Sequence, residues 1–315
     1  MQVRNESWRV YHFPQLHDGC CFYDILSRFH EESGHFSSMA TSVELFKSCP
    51  DLRSTVVLPY RAGLVEEWLG SSANITPEVI RDKHSAWQYL HLDGEFSDDE
   101  LVPILQAQAK PGRRKQEKMR LAVQKQISSL RYCPQCIAAD FLKEGEPFWH
   151  QVHQIFGVKY CPIHGIRLVE SDVSLAKRLQ QYVPASSLLV SSSLEGMVNM
   201  ATFLFEEESP FKERYLGLAR TIDRLLTDGL EFIKIDHSTR YRKALGVSSE
   251  NIEDEGEKLA EYLLSMFGRN FLDDLFPNGV ADVFLENVKK LGIRRMTSLC
   301  HALIITTLEE SDVQA

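Results

Sequence analysis

The stretch that decides the fold is residues 131–168, RYCPQCIAADFLKEGEPFWHQVHQIFGVKYCPIHGIRL. It holds a Cys-x-x-Cys turn at Cys133 and Cys136 and a Cys-x-x-His turn at Cys161 and His164, with 24 residues between them. Each turn, or knuckle, directs two ligands at one centre, and together they complete the tetrahedral sphere of a structural zinc site. Proline follows the first cysteine of each knuckle and fixes its backbone. The sequence therefore predicts one structural zinc ion per chain.

Two histidines between the knuckles offer an alternative set of metal ligands. His150 and His153 lie three residues apart, so on a helix they would share a face and could replace or bridge a ligand. Because the knuckles already supply four groups, we expect both histidines to lie outside the coordination sphere. We also expect Trp149 to pack beneath the site, because bulky aromatic side chains supply most of the core of a small module.

Cysteine usage and hydropathy favour a cytoplasmic protein. The other cysteines, Cys20, Cys21, Cys49 and Cys300, lack a second ligand pair nearby, and we interpret them as packed thiols, with a second metal site as the alternative. No apolar run approaches the roughly 18 residues of a membrane span, and the first residues do not resemble a secretory signal. A chain of 315 residues predicts two or three structural units.

Charge is unevenly distributed along the chain. The net charge of −9 argues against a protein whose whole surface binds nucleic acid. Residues 110–131, however, contain eight basic residues and one acidic residue, so this strip carries +7 and leaves −16 for the rest. Such a strip restricts phosphate contact to one face, although a solvated helix face is the alternative. The predicted DNA-contacting residues are Arg113, Arg114, Lys115, Lys118, Arg120, Lys125 and Arg131.

Hydrophobic periodicity predicts a mainly α fold with an inserted zinc-ribbon or zinc-knuckle module. Residues 22–33 have apolar side chains at helical spacing, and Gly34 follows them in the place where glycine often ends a helix. Shorter helices are predicted over 38–46 and 60–69. Three short helices joined by tight turns are typical of a helix-turn-helix, although a plain helical bundle is the alternative because no base-reading residues stand out.

Helix starts and chain breaks divide the sequence further. Thr76, followed by proline, predicts a helix N-terminus, and the acidic run 97–100 is interpreted as a capping box rather than a metal site. A Lys-Pro-Gly break precedes a basic helix predicted at about 113–130, and the serine-rich stretch 186–193 predicts a loop. The predicted domains are a helical, helix-turn-helix-like domain at 1–110, a basic helix with the zinc module at 111–170, and a helical domain at 171–315.

Apolar stripes in the C-terminal third predict core-facing helices rather than a cofactor site. These stripes are Leu218, Ile222, Leu225 and Leu226; Leu259, Leu263 and Phe267; and Phe284, Val288 and Leu291. No phosphate-binding loop, dinucleotide fingerprint, nucleophile elbow or metalloprotease motif occurs, so we expect no enzymatic activity. The enzymatic alternative is a zinc-scaffolded nuclease of the His-Asn-His kind, which needs an Asp or Asn near its histidine, and none lies close to 150–153 in sequence.

The two linked knuckles resemble the TnsD/TniQ family of transposon target-site selectors. The joining segment GEPFWHQVHQIFGV, residues 145–158, carries most of this resemblance. The segment FPQLHDGCCFYDILSRFHEESGH, residues 13–35, is similar to the opening of that family, and weaker similarity to the TnsD branch lies at 241–245 and 267–275. The resemblance is strongest over 131–168 and touches most of the chain.

The resemblance implies a non-catalytic adaptor that acts at bacterial DNA, in the cytoplasm and associated with the nucleoid. Such a protein binds double-stranded target DNA, or a DNA-bound complex such as an RNA-guided CRISPR complex, and recruits the AAA+ ATPase regulator of the transposon, TnsC. TnsD-type chains usually run well past 315 residues, so the resemblance implies an N-terminal portion or a short member. The alternative function is a zinc-containing helix-turn-helix transcription regulator.

Overall fold

The computed structural model shows a chain built mainly of helices, which confirms the mainly α part of the predicted fold class. The described residues are 13–47, 52–58, 61–69, 75–92, 128–175, 181–206, 209–228, 241–243, 245–246, 252–292 and 297–313. Within these ranges the only sheet has two strands. None of the helices described there has the length and hydropathy needed to cross a membrane.

The N-terminal range forms short helices whose ends follow from local sequence. These are Phe22–Ser33, Ser38–Phe46, Leu52–Val57, Ala62–Leu69, Pro77–Lys83 and Trp87–His91, numbered α1 to α6. The first two have the predicted bounds: Gly34 ends α1 in the left-handed region at φ 66°, and the Ser37 hydroxyl caps α2. Thr76 caps α5 as predicted. Helix α3 was not predicted, and the helix expected from residue 60 begins at Ala62.

Residues 128–175, named the knuckle module here, contain both knuckles and the sheet. Its elements are β1 (Ser129–Tyr132), α7 (Pro134–Glu144), a 3₁₀ turn (Val152–Gln154) and β2 (Val169–Ser174). The strands pair antiparallel, with Arg131 opposite Glu170. The predicted end of the basic helix at about residue 130 is therefore wrong. Leu130 and Tyr132 are buried at alternate positions, which is the period of a strand.

The remainder of that predicted basic helix and the capping box at 97–100 lie outside the described residues. The same holds for Cys49 and for six of the predicted DNA-contacting residues. These six are Arg113, Arg114, Lys115, Lys118, Arg120 and Lys125.

The described C-terminal part of the chain is helical, and the predicted stripes face the core where their side chains are described. The helices are Ser187–Ser191, Leu194–Glu206, Lys212–Thr227, Ile252–Phe267, Arg269–Leu275, Val280–Leu291 and Ser298–Val313, numbered α8 to α14. Leu218, Ile222 and Leu225 are fully buried on α10, as are Leu259 and Leu263 on α11. The serine-rich stretch is not entirely a loop, because α8 lies within it.

The described ranges share one apolar core, and two contacts show how the knuckle module and the segment after it are held in it. The Tyr23 hydroxyl of α1 donates to the Gln181 carbonyl at 2.6 Å and accepts from the Val183 N–H at 3.0 Å, just after the module. On the other side Gly157 has a φ of 92°, and a Cβ placed there would lie 3.0 Å from Leu299 of α14. Glycine at 157 thus permits both the turn and the close approach of α14.

Candidate metal centre

The first knuckle lies where β1 passes into α7. Cys133 is the N-cap of α7, with an extended backbone, and Pro134 occupies the first helical turn. The Cys133 sulfur accepts the Cys136 N–H at 3.4 Å, so it caps the helix in the position where a serine or aspartate oxygen usually does. Because the cap fixes Cys133 and the first turn of α7 fixes Cys136, the two sulfurs are directed to the same side.

The second knuckle is a tight turn closed by backbone hydrogen bonds. The His164 N–H donates to the Cys161 sulfur at 3.4 Å, and the Gly165 N–H donates to the Cys161 carbonyl at 2.9 Å. Gly165 has a φ of 66°, a conformation that favours glycine. The Cys161 N–H then donates to the Ile166 carbonyl at 2.8 Å, which closes the turn. The turn therefore repeats the geometry of the first knuckle with a histidine as its second ligand.

The structure brings all four predicted ligands together. Their ligand atoms all lie within 4.8 Å of one another. His164 Nδ1 is 3.4 Å from the Cys133 sulfur, 3.2 Å from the Cys136 sulfur and 3.6 Å from the Cys161 sulfur. The Cys136 and Cys161 sulfurs are 3.6 Å apart. The imidazole nitrogen thus forms the apex over a triangle of sulfurs.

These separations fit a tetrahedral zinc ion. Zn–S bonds of about 2.3 Å and a Zn–N bond of about 2.0–2.1 Å give S···S edges of about 3.8 Å and S···N edges of about 3.6 Å. The three cysteines are buried and His164 is half-buried. The cluster can therefore hold a metal ion, and its three sulfurs and one nitrogen are the ligands that zinc prefers in structural sites.

Hydrogen bonds among the three sulfurs shift the pKa values of the cysteines in opposite directions. Hydrogen bonds from the Cys133 and Cys136 thiols hold the pKa of Cys161 far below its ordinary value. The pKa of Cys136 is raised because it shares hydrogen bonds with Cys133 and Cys161 and is buried. Zinc binds cysteine as the thiolate, so a divalent cation held by this cluster would displace the thiol protons.

His150 and His153 lie beside the cluster rather than in it. His153 is buried, which lowers its pKa, and its Nε2 lies 3.9 Å from the Cys136 sulfur. His150 pairs with Asp140 at 2.8 Å and its ring packs against Phe148. The sequence reasoning overlooked Asp140, ten residues before His150, because α7 and the following loop bring the two together. Neither histidine belongs to the four-residue cluster.

Arg131, the one predicted DNA-contacting residue that the structure describes, has backbone partners inside the module. Its guanidinium donates to the Val158 carbonyl at 2.7 Å and to the Ile155 carbonyl at 2.9 Å. The Gln154 side chain accepts the Arg131 N–H at 3.0 Å and donates to the Arg131 carbonyl at 2.8 Å. Arg131 therefore joins β1 to the segment between the knuckles.

A buried polar network that the sequence reasoning missed fixes the module to α1. Asp24 accepts from Arg28 at 2.8 Å and from the Trp149 backbone N–H at 2.8 Å, and Arg28 also donates to Glu146 at 2.9 Å. Burial raises the pKa of Asp24, and the Arg28 cation opposes that rise. Trp149 is fully buried, and its indole N–H donates to the Val183 carbonyl at 2.9 Å.

The remaining cysteines described by the structure are packed thiols, as predicted. Cys20, Cys21 and Cys300 are fully buried, and burial raises the pKa of each. Across the described ranges, no second group of three or more metal-binding side chains comes together.

Comparison with known proteins points to the same region of the chain. The family model TniQ matches residues 12–168, which run from the segment before α1 through the second knuckle. The Transposon Tn7 transposition protein TnsD of Escherichia coli is 25% identical over 157 residues, which cover 49% of this chain and 30% of that protein. The chain thus matches about a third of the length of this relative. The region matched by the family model contains both knuckles, and the chain belongs to the TniQ family.

Proposed function

We propose that this chain is a target-site selector in DNA transposition, a non-catalytic adaptor between target DNA and the AAA+ ATPase regulator of a transposon. The observation that carries the proposal is the TniQ match over residues 12–168, which includes α1, its polar network and all four knuckle ligands. Similarity to a protein named for Tn7 transposition supports the same role.

In this proposal the metal centre is structural. One zinc ion per chain, held by Cys133, Cys136, Cys161 and His164, would neutralise the thiolates and fix the two knuckles to each other. Four protein ligands leave no coordination position for water, so such a centre would not activate a nucleophile. The residues between the knuckles, including Trp149, then present a rigid surface to α1.

The charge distribution supports contact with DNA through one face. The basic strip carries +7 in a chain whose remainder carries −16, so phosphate contact is favoured there and opposed elsewhere. Contacts made mostly to the phosphate backbone of DNA would give a salt-dependent affinity with little sequence preference. The residues proposed to contact phosphates are Arg113, Arg114, Lys115, Lys118, Arg120, Lys125 and Arg131.

The acidic remainder suits a protein partner, which we propose to be the TnsC-like ATPase. The N-terminal helices, proposed to form a helix-turn-helix-like unit, offer a surface for it. A DNA-bound targeting complex, including an RNA-guided CRISPR complex, could take the place of bare duplex DNA. In either case the chain would connect a marked DNA site to the ATPase.

Co-assembly tests the proposal directly. The chain, the AAA+ regulator encoded beside it, ATP and duplex DNA would be mixed and weighed by mass photometry. We expect an ATP-dependent complex containing both proteins. Tight, sequence-selective DNA binding with no ATPase complex would contradict the adaptor role and favour a transcription regulator, and sustained cleavage of plasmid DNA with Mg²⁺ would favour the nuclease.

A further inference from the structure

A second site on the knuckle module lies apart from the four metal ligands. A cavity of about 380 Å³ is lined by Arg131, Lys159, Arg167, Leu168 and Glu170. Three of these side chains are cationic and one is anionic, so the lining carries a net +2 in a chain whose net charge is −9. The cavity is therefore positively charged in a protein whose net charge is negative.

Backbone pairing holds the lining residues together. Arg131 and Glu170 are opposite each other in the β1–β2 pair. Lys159 and Leu168 are joined by a 2.9 Å backbone hydrogen bond, and Arg167 forms a bridge with Tyr160. This bridge directly flanks the second knuckle. The cavity is therefore preformed by the same hairpin that presents Cys161 and His164.

Arg131 supplies a fixed positive charge to this cavity. Its two terminal nitrogens hold the carbonyls of Ile155 and Val158, which prevents the guanidinium from reorienting. Glu170 lies opposite Arg131 across the strand pair, and the guanidinium keeps its charge at neutral pH. Its Nε–H is buried without a hydrogen-bond partner. An anion nearby would offset the cost of keeping this charge out of water.

The other cations can exchange their contacts for a ligand. Lys159 donates to Asp274 at 2.8 Å, but the two side chains are 35% and 46% exposed, so water competes for this pair and an anion can too. Arg167 is exposed. Its planar guanidinium suits an oxyanion better than an ammonium does, because it donates two parallel N–H groups.

We propose that this cavity binds a phosphate group through Arg131, Lys159 and Arg167. This inference rests on the proposed function where the phosphate belongs to the backbone of target DNA; inorganic phosphate is the other source of the same chemistry. Glu170 opposes binding and limits the affinity for a lone phosphate. The site would give the knuckle module its own contact with DNA, and the second knuckle would fix the position of that contact.

Inorganic phosphate tests the cavity independently of DNA and of any ATPase. Thermal unfolding of the zinc-loaded chain is measured with increasing phosphate, with chloride added to keep ionic strength constant. We expect the midpoint to rise by about 2–4 °C at saturating phosphate. Arg167→Gln should lose most of this rise, whereas Glu170→Gln should show a larger rise at each phosphate concentration. Lys143→Gln is the matched control, because Lys143 is an exposed cation of the same module outside the cavity, and it should respond as the wild type does.

Equal responses of the wild type, Arg167→Gln and Glu170→Gln would overturn the proposal. The Glu170→Gln arm keeps the test decisive if Arg167→Gln folds poorly, because removing an exposed acid should strengthen binding rather than weaken the fold.

Duplex DNA then separates the two sources of phosphate. If the backbone is the ligand, Arg167→Gln should weaken DNA binding about 5- to 10-fold and reduce the salt slope by about 1, while Lys143→Gln should not. An unchanged salt slope beside a lost phosphate response would assign the cavity to free phosphate and rule out DNA as its ligand. ATPase recruitment is measured separately, so its failure would count against the adaptor role and not against this cavity.

Discussion

The knuckle module and the C-terminal helices differ in the kinds of side chain that they bury. Besides apolar side chains such as Trp149 and Ile155, the module buries three thiols, the His153 imidazole and the Gln154 amide, and hydrogen bonds join its polar groups across the chain. The helices α10 to α14 bury mainly leucine, isoleucine, phenylalanine and alanine. A fully buried Leu or Phe contributes about 1.5–3 kcal/mol to the free energy of unfolding, so we expect apolar packing to stabilise these helices without a metal. We therefore predict that metal removal destabilises the knuckle module more than helices α10 to α14.

Removing a ligand should break the module most severely. Cys161→Ser leaves the other three ligands without a complete sphere, so we expect loss of zinc and a fall in the thermal midpoint of more than about 10 °C. Metal analysis and a thermal melt measure both. Cys300→Ser is the control, because Cys300 is equally buried but does not belong to the cluster, and this variant should keep its zinc. Full zinc content in Cys161→Ser would contradict the assignment.

Breaking the contact between the module and α1 should have the next largest effect. Arg28→Ala leaves the Asp24 carboxylate buried without its cation, at a cost of about 3–5 kcal/mol in unfolding free energy. Urea denaturation measures this cost. Arg269→Ala removes a cation whose partners, Asp273 and Asp282, are exposed, and it should leave the urea midpoint unchanged. Similar midpoints for the two variants would mean that the buried network contributes nothing.

A cavity in the C-terminal core tests the other half of the comparison. Leu263→Ala removes a fully buried side chain of α11 and should cost about 2–5 kcal/mol in unfolding free energy. Because apolar packing stabilises this region without metal, zinc content should stay as in the wild type. Denaturant unfolding and metal analysis on the same preparation check both points. A parallel loss of zinc would show that the two regions are not separable.

The boundary between the two regions can be probed at Gly157. Gly157→Ala places a Cβ at positive φ and against Leu299, and we expect a loss of about 2–4 kcal/mol. Gly145→Ala has a similar φ of 84° but nothing within 4 Å of the added atom, so only the conformational cost of about 1–2 kcal/mol should appear. Equal losses would mean that the contact with α14 carries no energy.

Sequence alone predicted the local features well. The four predicted ligands come together in the structure because a Cys-x-x-Cys turn and a Cys-x-x-His turn each place two side chains within four positions. The helices at 22–33 and 38–46 were predicted with their observed bounds, because periodicity and the residues Gly34 and Ser37 act over a few positions.

What the sequence did not predict depends on distant contacts. Asp24 and Trp149 are 125 positions apart, and neither has a neighbour in sequence that signals the hydrogen bond between them. Strand β1 has four residues and follows a helical pattern, so only its pairing with β2 defines it. The charge count placed Arg131 with the surface cations, but it could not show that the guanidinium binds two backbone carbonyls.

Hydrogen exchange before and after removal of zinc by a chelator tests the central claim most directly. If the four ligands hold a metal that orders the module, amides in 128–175 should lose protection on chelation, while those in 252–292 should keep it. Unchanged exchange across 128–175 would contradict a structural metal centre, and uniform loss along the whole chain would contradict the division between the two regions.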